Sequence, residues 1–247
     1  MTYNINSAIR QGHGHIFEEK PCQDSLFTYQ DSFIHSDDCL TLAIVSDGCS
    51  SGNKSEVGAN LLSYLCGSYI LSYLQQNPDR DIKTMLDNIF QDLVLYVKNS
   101  LPIGFPELQF IGDYWLATIL GVIIYRNKCY TFSCGDGIYC IDDKYTVIDQ
   151  NNYPKYLAYA AISDPIGYNI DLNCIPYSFE VEEFKEFNKV MISTDGFENH
   201  KNSNLETLRE KQWDKTKAQF TKWARLCSNQ GYFYDDCAII AIEKKEQ

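Results

Sequence analysis

A chain of 247 residues is long enough for one large core, and no break in composition separates its halves, so a single domain over residues 1–247 is expected. The net charge of −12 excludes the basic face that nucleic acid or an anionic membrane surface requires, and leaves proteins, peptides or small molecules as partners. The 10 cysteines read as reduced thiols of a cytoplasmic protein, because the start is polar, no signal-peptide or spanning pattern is visible, and no Cys-x-x-Cys pair occurs.

From Ser7 to Phe27 the chain is polar, with Gly12-His13-Gly14-His15 followed by Lys20-Pro21-Cys22-Gln23-Asp24. Pro21 and the glycines favour a looped path over a helix. Leu42 to Ser46 is a branched apolar run, read as a buried strand, and it stops abruptly at Asp47-Gly48. Asn53 and Glu56 have the spacing of a capping box, and the helix that follows to Leu74 carries Val57, Leu61, Leu65 and Tyr69 as its expected buried stripe. A second helix, Asp81 to Asn99, presents Ile82, Leu86, Ile89, Leu93 and Val97.

Ile103 to Asp113 reads as a loop, Leu116 to Tyr125 and Cys129 to Ser133 as strands, and Ile138 to Ile141 with Tyr145 to Ile148 as a hairpin. Connections this short predict a largely antiparallel sheet. Periodicity weakens over 149–187, where Tyr, Asn and Pro accumulate, and the segment is a candidate flap over a site. Asn204 to Asn229 reads as a helix with Leu205, Leu208, Phe220, Trp223 and Leu226 for burial and Gly231 as its stop, and Cys237 to Ile242 is the last strand.

Three apolar strands end beside a glycine-flanked aspartate, at Asp47, Asp136 and Asp195, while Asp235-Asp236 stands before the last strand. One Asp-Gly is only a turn dipeptide. Repeated at strand ends, it points to one acidic cluster. Carboxylates about 4 Å apart repel by roughly 4 kcal/mol at an effective dielectric near 20, so such a cluster requires cations or protons. All-oxygen ligation favours magnesium, manganese or calcium over zinc.

In chain order, Gln23-Asp24, Ser46-Asp47-Gly48, Ala117-Thr118, Gly135-Asp136-Gly137, Ser193-Thr194-Asp195-Gly196 and Asp235-Asp236 resemble the motifs of the metal-dependent protein phosphatases, the PPM or type 2C family, across about the whole chain. The resemblance implies an α+β fold, a four-layer α/β/β/α sandwich of two antiparallel sheets flanked by helix pairs. It implies a centre of two magnesium or manganese ions that hydrolyses phosphoserine or phosphothreonine with a metal-activated water. On the same footing Asp47 is the carboxylate bridging both ions and Gly48 offers its carbonyl. Asp195 and Asp235 complete the direct ligands, Asp24 holds metal-bound water, and Asp136 belongs to a third, weaker ion. The implied partners are a phosphorylated protein and a cognate kinase, with the chain itself a monomer.

The departures from the family pattern are specific. Many members carry Asp-Gly-His-Gly, whereas Cys49 stands here, and a thiol with an ordinary pKa near 8.5 is a poorer general acid at neutral pH than an imidazole near 6.5. His15, or His13, is the candidate acid in its place. Gln23 replaces the usual glutamate, and the expected phosphate-binding arginine is missing, which leaves Lys20 and Arg10 as candidate phosphate partners. Asn199 occupies a position where relatives keep an acid for the third ion, with Glu198 adjacent. Two other readings therefore stand beside the enzyme: a catalytically weak or inactive PPM-fold binding module in bacterial signalling, and an α+β protein with calcium-stabilised turns.

Overall fold

The apolar runs are continuous because the strands are buried on both faces. In β3 (Cys39–Ser46), Leu40, Leu42 and Ile44 face one core, while Ala43 and Val45 face another. β10 (Cys237–Lys244) divides in the same way, with Ala238, Ile240 and Ile242 on one side and Cys237, Ile239 and Ala241 on the other. The computed structural model describes residues 3–32, 39–151, 153–197 and 216–245. Within them the strands form two five-stranded antiparallel sheets.

The first sheet has the order β1-β10-β9-β6-β7, with β1 at Tyr3–Arg10, β9 at Lys189–Ser193, β6 at Gly137–Ile141 and β7 at Lys144–Ile148. The second has the order β2-β3-β4-β5-β8, with β2 at Ser25–Ser32, β4 at Ile119–Tyr125, β5 at Lys128–Cys134 and β8 at Glu180–Phe184. Ala43, Val45, Val122, Ile192 and Ile240 fill the space between the sheets. Helices α2 (Ser55–Gln76) and α3 (Ile82–Asn99) cover the outer face of the β2–β8 sheet. The outer face of the other sheet packs on Phe220, Trp223, Ala224 and Cys227 of α5 (Lys217–Asn229). Those three cores separate four layers, as expected for the sandwich. No helix among the described residues is long and apolar enough to cross a membrane.

The structure corrects several local expectations. The inward face of α2 is rotated from the expected stripe: Val57 is 39% exposed, and the fully buried residues are Ala59, Leu62, Cys66, Ile70 and Leu74, with Leu61, Leu65 and Tyr69 only on the flank. Small residues decide this, since a Cβ on Gly67 would overlap the Phe27 ring of β2 and one on Gly58 would overlap the Tyr114 carbonyl. The close approach of helix and sheet therefore selects the glycine face over the leucine face. The capping box does not form either, because Asn53 Nδ2 donates to Asp113 Oδ1 at 2.6 Å and Lys54 occupies the cap.

Residues read as loop contain α1 (His13–Phe17) and α4 (Glu107–Tyr114), both too short to show a full apolar stripe. β1 and β8 are edge strands, one polar in sequence and one rich in glutamate, held by their ladders to β10 and β5 rather than by apolar side chains. Leu226 is 47% exposed and lies off the packed face of α5. Leu205 and Leu208, in the first part of that expected helix, lie outside the described residues, while Gly231 does stop it at φ 74°. Asp142 and Asp143, at φ 44° and 68°, close the expected β6–β7 hairpin as a tight turn.

The packing of α2 yields a direct test. Gly67→Ala should lower stability by about 1–3 kcal/mol, seen as a drop of several degrees in thermal unfolding. Gln75→Ala, on the exposed side of the same helix, should change it far less.

Candidate active site

Strand register brings the acids together. Ser25 of β2 lies opposite Ser46 of β3, so one step beyond that pair Asp24 and Asp47 stand side by side. Asp47 is clasped from β4: its carbonyl accepts from Thr118 N at 2.8 Å, and its own N–H donates to Thr118 Oγ1 at 3.1 Å. Gly48 bridges to Ala117, and a Cβ there would press on the Gln23 carbonyl and on Ser55. In the other sheet β9 runs antiparallel to β10, so Asp195 after one and Asp235 before the other reach the same end. A Cβ on Gly196 or on Gly12 would overlap the Asp235-Asp236 backbone, so both glycines are needed for the chain to close there.

The two sheets are joined at this point by Thr194, whose Oγ1 donates to Asp24 Oδ2 at 2.7 Å and accepts from Ala238 N at 3.0 Å. Asp24 is 4% exposed, and its Oδ1 is buried with no hydrogen-bond partner. Burial pushes its carboxyl up to about 8, reinforced by the charges of Asp236 and Asp195 and opposed by the hydrogen bond from Thr194. Part of the Asp47 side chain reaches solvent, yet its carboxyl is also raised well above the ordinary value, by desolvation first and then by Asp24, Asp195 and Asp235. An orphaned carboxylate oxygen among like charges fits divalent cations bound by oxygen.

His15 enters the same site from α1. Its Nδ1 lies 2.7 Å from Asp236 Oδ2, and its Nε2 lies 3.7 Å from Asp235 Oδ1. Asp236 also accepts from Gly12 N at 2.7 Å and Gln23 N at 2.6 Å. Sequence reasoning quoted Asp236 and Thr194 within motifs without giving either a task; the doubled acid before β10 was the available signal.

Other expected residues stand elsewhere. Arg10 does not reach the carboxylates: its Nη2 donates to the Thr221 carbonyl of α5 at 2.8 Å, because the end of β1 runs beneath that helix. Lys20 pairs with Glu18 at 2.7 Å and touches the Ser50 carbonyl at 3.3 Å, on the rim beside the Asp47 loop. Asp136 is raised by burial and then by Asp149, its neighbour across the β6–β7 end, and it shares with Asp47 the neighbourhood of the Tyr156 hydroxyl. Gln23 turns its amide away, donating to Ser55 Oγ at 2.7 Å and the Gly52 carbonyl at 3.2 Å. Asn199 and Glu198 lie outside the described residues.

Beside Asp47 the chain from the expected flap forms the wall of a cleft of about 450 Å³, lined by Cys49, Leu116, Tyr156, Tyr159 and Cys174. Tyr156 is buried there and its hydroxyl is pushed up by desolvation, then by Cys49 and Asp47. The flap segment is thus tied to the acidic centre, and includes two short 3-10 turns, Leu157–Ala161 and Leu172–Cys174, as well as β8.

A family model described as protein phosphatase 2C matches residues 11–236. The chain belongs to the protein phosphatase 2C family. No curated protein matches it by sequence. Among solved structures, this 2C-family chain is similar to the serine/threonine phosphatase Stp1 from Staphylococcus aureus, with 10% identity, TM-score 0.61, and coverage of 100% of this chain and 96% of that one. The S. agalactiae serine/threonine phosphatase matches with 13% identity, TM-score 0.65 and coverage of 99% and 100%. The catalytic domain of the serine/threonine phosphatase PstP in complex with two manganese ions matches with 15% identity, TM-score 0.63 and coverage of 98% and 97%. At such identities the likeness establishes the shared fold.

The Thr194 bridge is testable within this fold. Thr194→Val strips the hydrogen bond from Asp24 Oδ2 and should cost about 1–3 kcal/mol in denaturant unfolding, while Thr194→Ser, which keeps the hydroxyl, should recover most of it.

Proposed function

We propose that this chain is a metal-dependent protein phosphatase for phosphoserine or phosphothreonine. The observation that carries the reading is that Asp24, Asp195 and Asp235 all act on the Asp47 carboxyl, beside an Asp24 Oδ1 that is buried without a hydrogen-bond partner. Asp47, the Gly48 carbonyl, Asp195 and Asp235 would hold two magnesium or manganese ions, with Asp24 directed at the water around them. Two such ions supply an acidified water and neutralise charge on the phosphoryl oxygens during in-line displacement.

The chain's own residues provide position. Thr118 grips Asp47 from both sides of its peptide group, and Thr194 fixes Asp24, so neither carboxylate has to reorganise when substrate arrives. Lys20, at the rim through Ser50, is a candidate cation for an incoming phosphate, although as a point charge it lacks the fork of arginine. Tyr156 and Cys49 wall the cleft into which residues flanking the phosphorylated side chain would fit. Asp136, which like Asp47 acts on the Tyr156 hydroxyl, is the carboxylate that would serve a third, weaker ion. On this reading the partners are phosphorylated proteins written by a cognate kinase in a cytoplasmic bacterial pathway, and the enzyme acts as a monomer.

One observation favours the second reading, a 2C-fold module that binds without efficient turnover: Arg10 is committed to α5, and Gln23 to the Asp47 loop. Hydrolysis of p-nitrophenyl phosphate and of a phosphothreonine peptide separates the two. The enzyme should turn over both with manganese, stop with EDTA, and lose at least about 100-fold in Asp47→Asn. Absent turnover, with manganese still raising the melting temperature, would instead establish the binding module.

A further inference from the structure

His15 is 6% exposed, and its place is fixed by the backbone. His13 N donates to the Phe233 carbonyl at 3.1 Å and Gly14 N to the Tyr234 carbonyl at 2.9 Å, so α1 is docked along the segment that leads into Asp235. Behind the ring stands Asp236, 2% exposed, with both carboxylate oxygens engaged. Oδ1 takes the Gly12 N–H, while Oδ2 takes the Gln23 N–H and faces His15 Nδ1. Both oxygens of Asp236 are thus placed as acceptors of backbone N–H groups. With Oδ2 placed as an acceptor, Nδ1 of His15 is the donor of this contact, and Nε2 is the nitrogen left to meet a metal.

Nε2 in turn stands 3.7 Å from Asp235 Oδ1. The separation is too long for a hydrogen bond, and Asp235 Oδ1, which takes the Asp236 N–H at 2.8 Å, keeps a further lone pair. A divalent cation at about 2.1 Å from each atom fits this separation, because two such bonds span up to about 4.2 Å. The ligand atoms of His15, Asp235 and Asp236 lie within 4.8 Å of one another, but Asp236 is already saturated by its donors. What remains is a carboxylate that orients a histidine, and a histidine that shares its other nitrogen with a second carboxylate, which is the way proteins present imidazole to metals.

We propose that His15 Nε2 is a direct ligand of the cation held by Asp235, so that the centre carries one nitrogen donor among its oxygens. The inference rests on the metal-centre reading above and assigns His15 a place other than general acid: a nitrogen bound to metal has no proton to give. It also explains why His15 is buried against the ligand set rather than placed at the rim. One imidazole shifts the site's preference away from magnesium and towards metals further along the first transition row.

The test uses the whole protein loaded with Mn²⁺ alone. Electron spin-echo modulation of the bound ion should show imidazole nitrogen coupling in the wild type and in His13→Gln, whose Nε2 lies 2.7 Å from the Ser228 carbonyl away from the acids. His15→Gln should lose the coupling and bind Mn²⁺ at least about tenfold more weakly by calorimetry. Bound Mn²⁺ without nitrogen coupling in the wild type would overturn the ligand assignment while leaving the metal centre intact. No Mn²⁺ binding at all would overturn both. Should His15→Gln fail to fold, the spectrum of the variant carrying His13→Gln, His35→Gln and His200→Gln, in which His15 is the last of the four histidines, decides the question: coupling kept supports the assignment and coupling lost overturns it.

Discussion

Repulsion among carboxylates at the common end of two sheets is the constraint on which the molecule depends. A pair of such groups at about 4 Å costs roughly 4 kcal/mol at an intermediate dielectric, and here Asp24 and Asp47 are held together before any cation arrives. Only a stiff frame tolerates this. The frame is the register of β2 on β3 and of β9 on β10, reinforced where Thr118 clasps the Asp47 backbone and Thr194 spans from one sheet to Asp24 Oδ2. Gly12 and Gly196 complete it by allowing two segments to lie directly on the backbone of Asp235-Asp236.

The three apolar cores serve that frame. The layer between the sheets fixes their separation, and with it the reach of Thr194 towards Asp24. The outer layers press helices onto each sheet, closely enough at Gly67 that a ring from β2 fills the space a side chain would have used. Several sequence departures from the family pattern acquire structural tasks. Gln23 braces the loop after Asp47, and Cys49 lines the cleft shared with Tyr156 and Tyr159. Arg10 anchors α5 to the end of β1. The balance of charge at the site is then strongly negative, with His15 the imidazole in direct contact with the acids.

What was legible in the sequence was legible through period and punctuation. β3, β4, β5, β9 and β10 announced themselves as branched apolar runs, α3 by its spacing from Ile82 to Val97, and the strand-end acids by the glycine beside them. β1, β8, α1 and α4 were not legible, since an edge strand or a single helical turn is stabilised by neighbours rather than by its own pattern. The face of α2 was misjudged because hydrophobicity favours leucine at an interface, whereas close packing against Phe27 demanded glycine.

By itself the sequence determined the layered α+β class, the antiparallel order and the acids delivered at strand ends, because each follows from side-chain period and local turn chemistry. Tertiary structure alone decided which acids meet. Asp136 and Asp195 look alike in sequence, yet Asp195 acts on the carboxyls of both Asp24 and Asp47, whereas Asp136 stands across from Asp149 at the β6–β7 end. It also decided that Asp236, unremarkable beside Asp235, orients His15, since a hydrogen bond between residues 221 positions apart exists only once β10 and the first turn of helix are folded against each other.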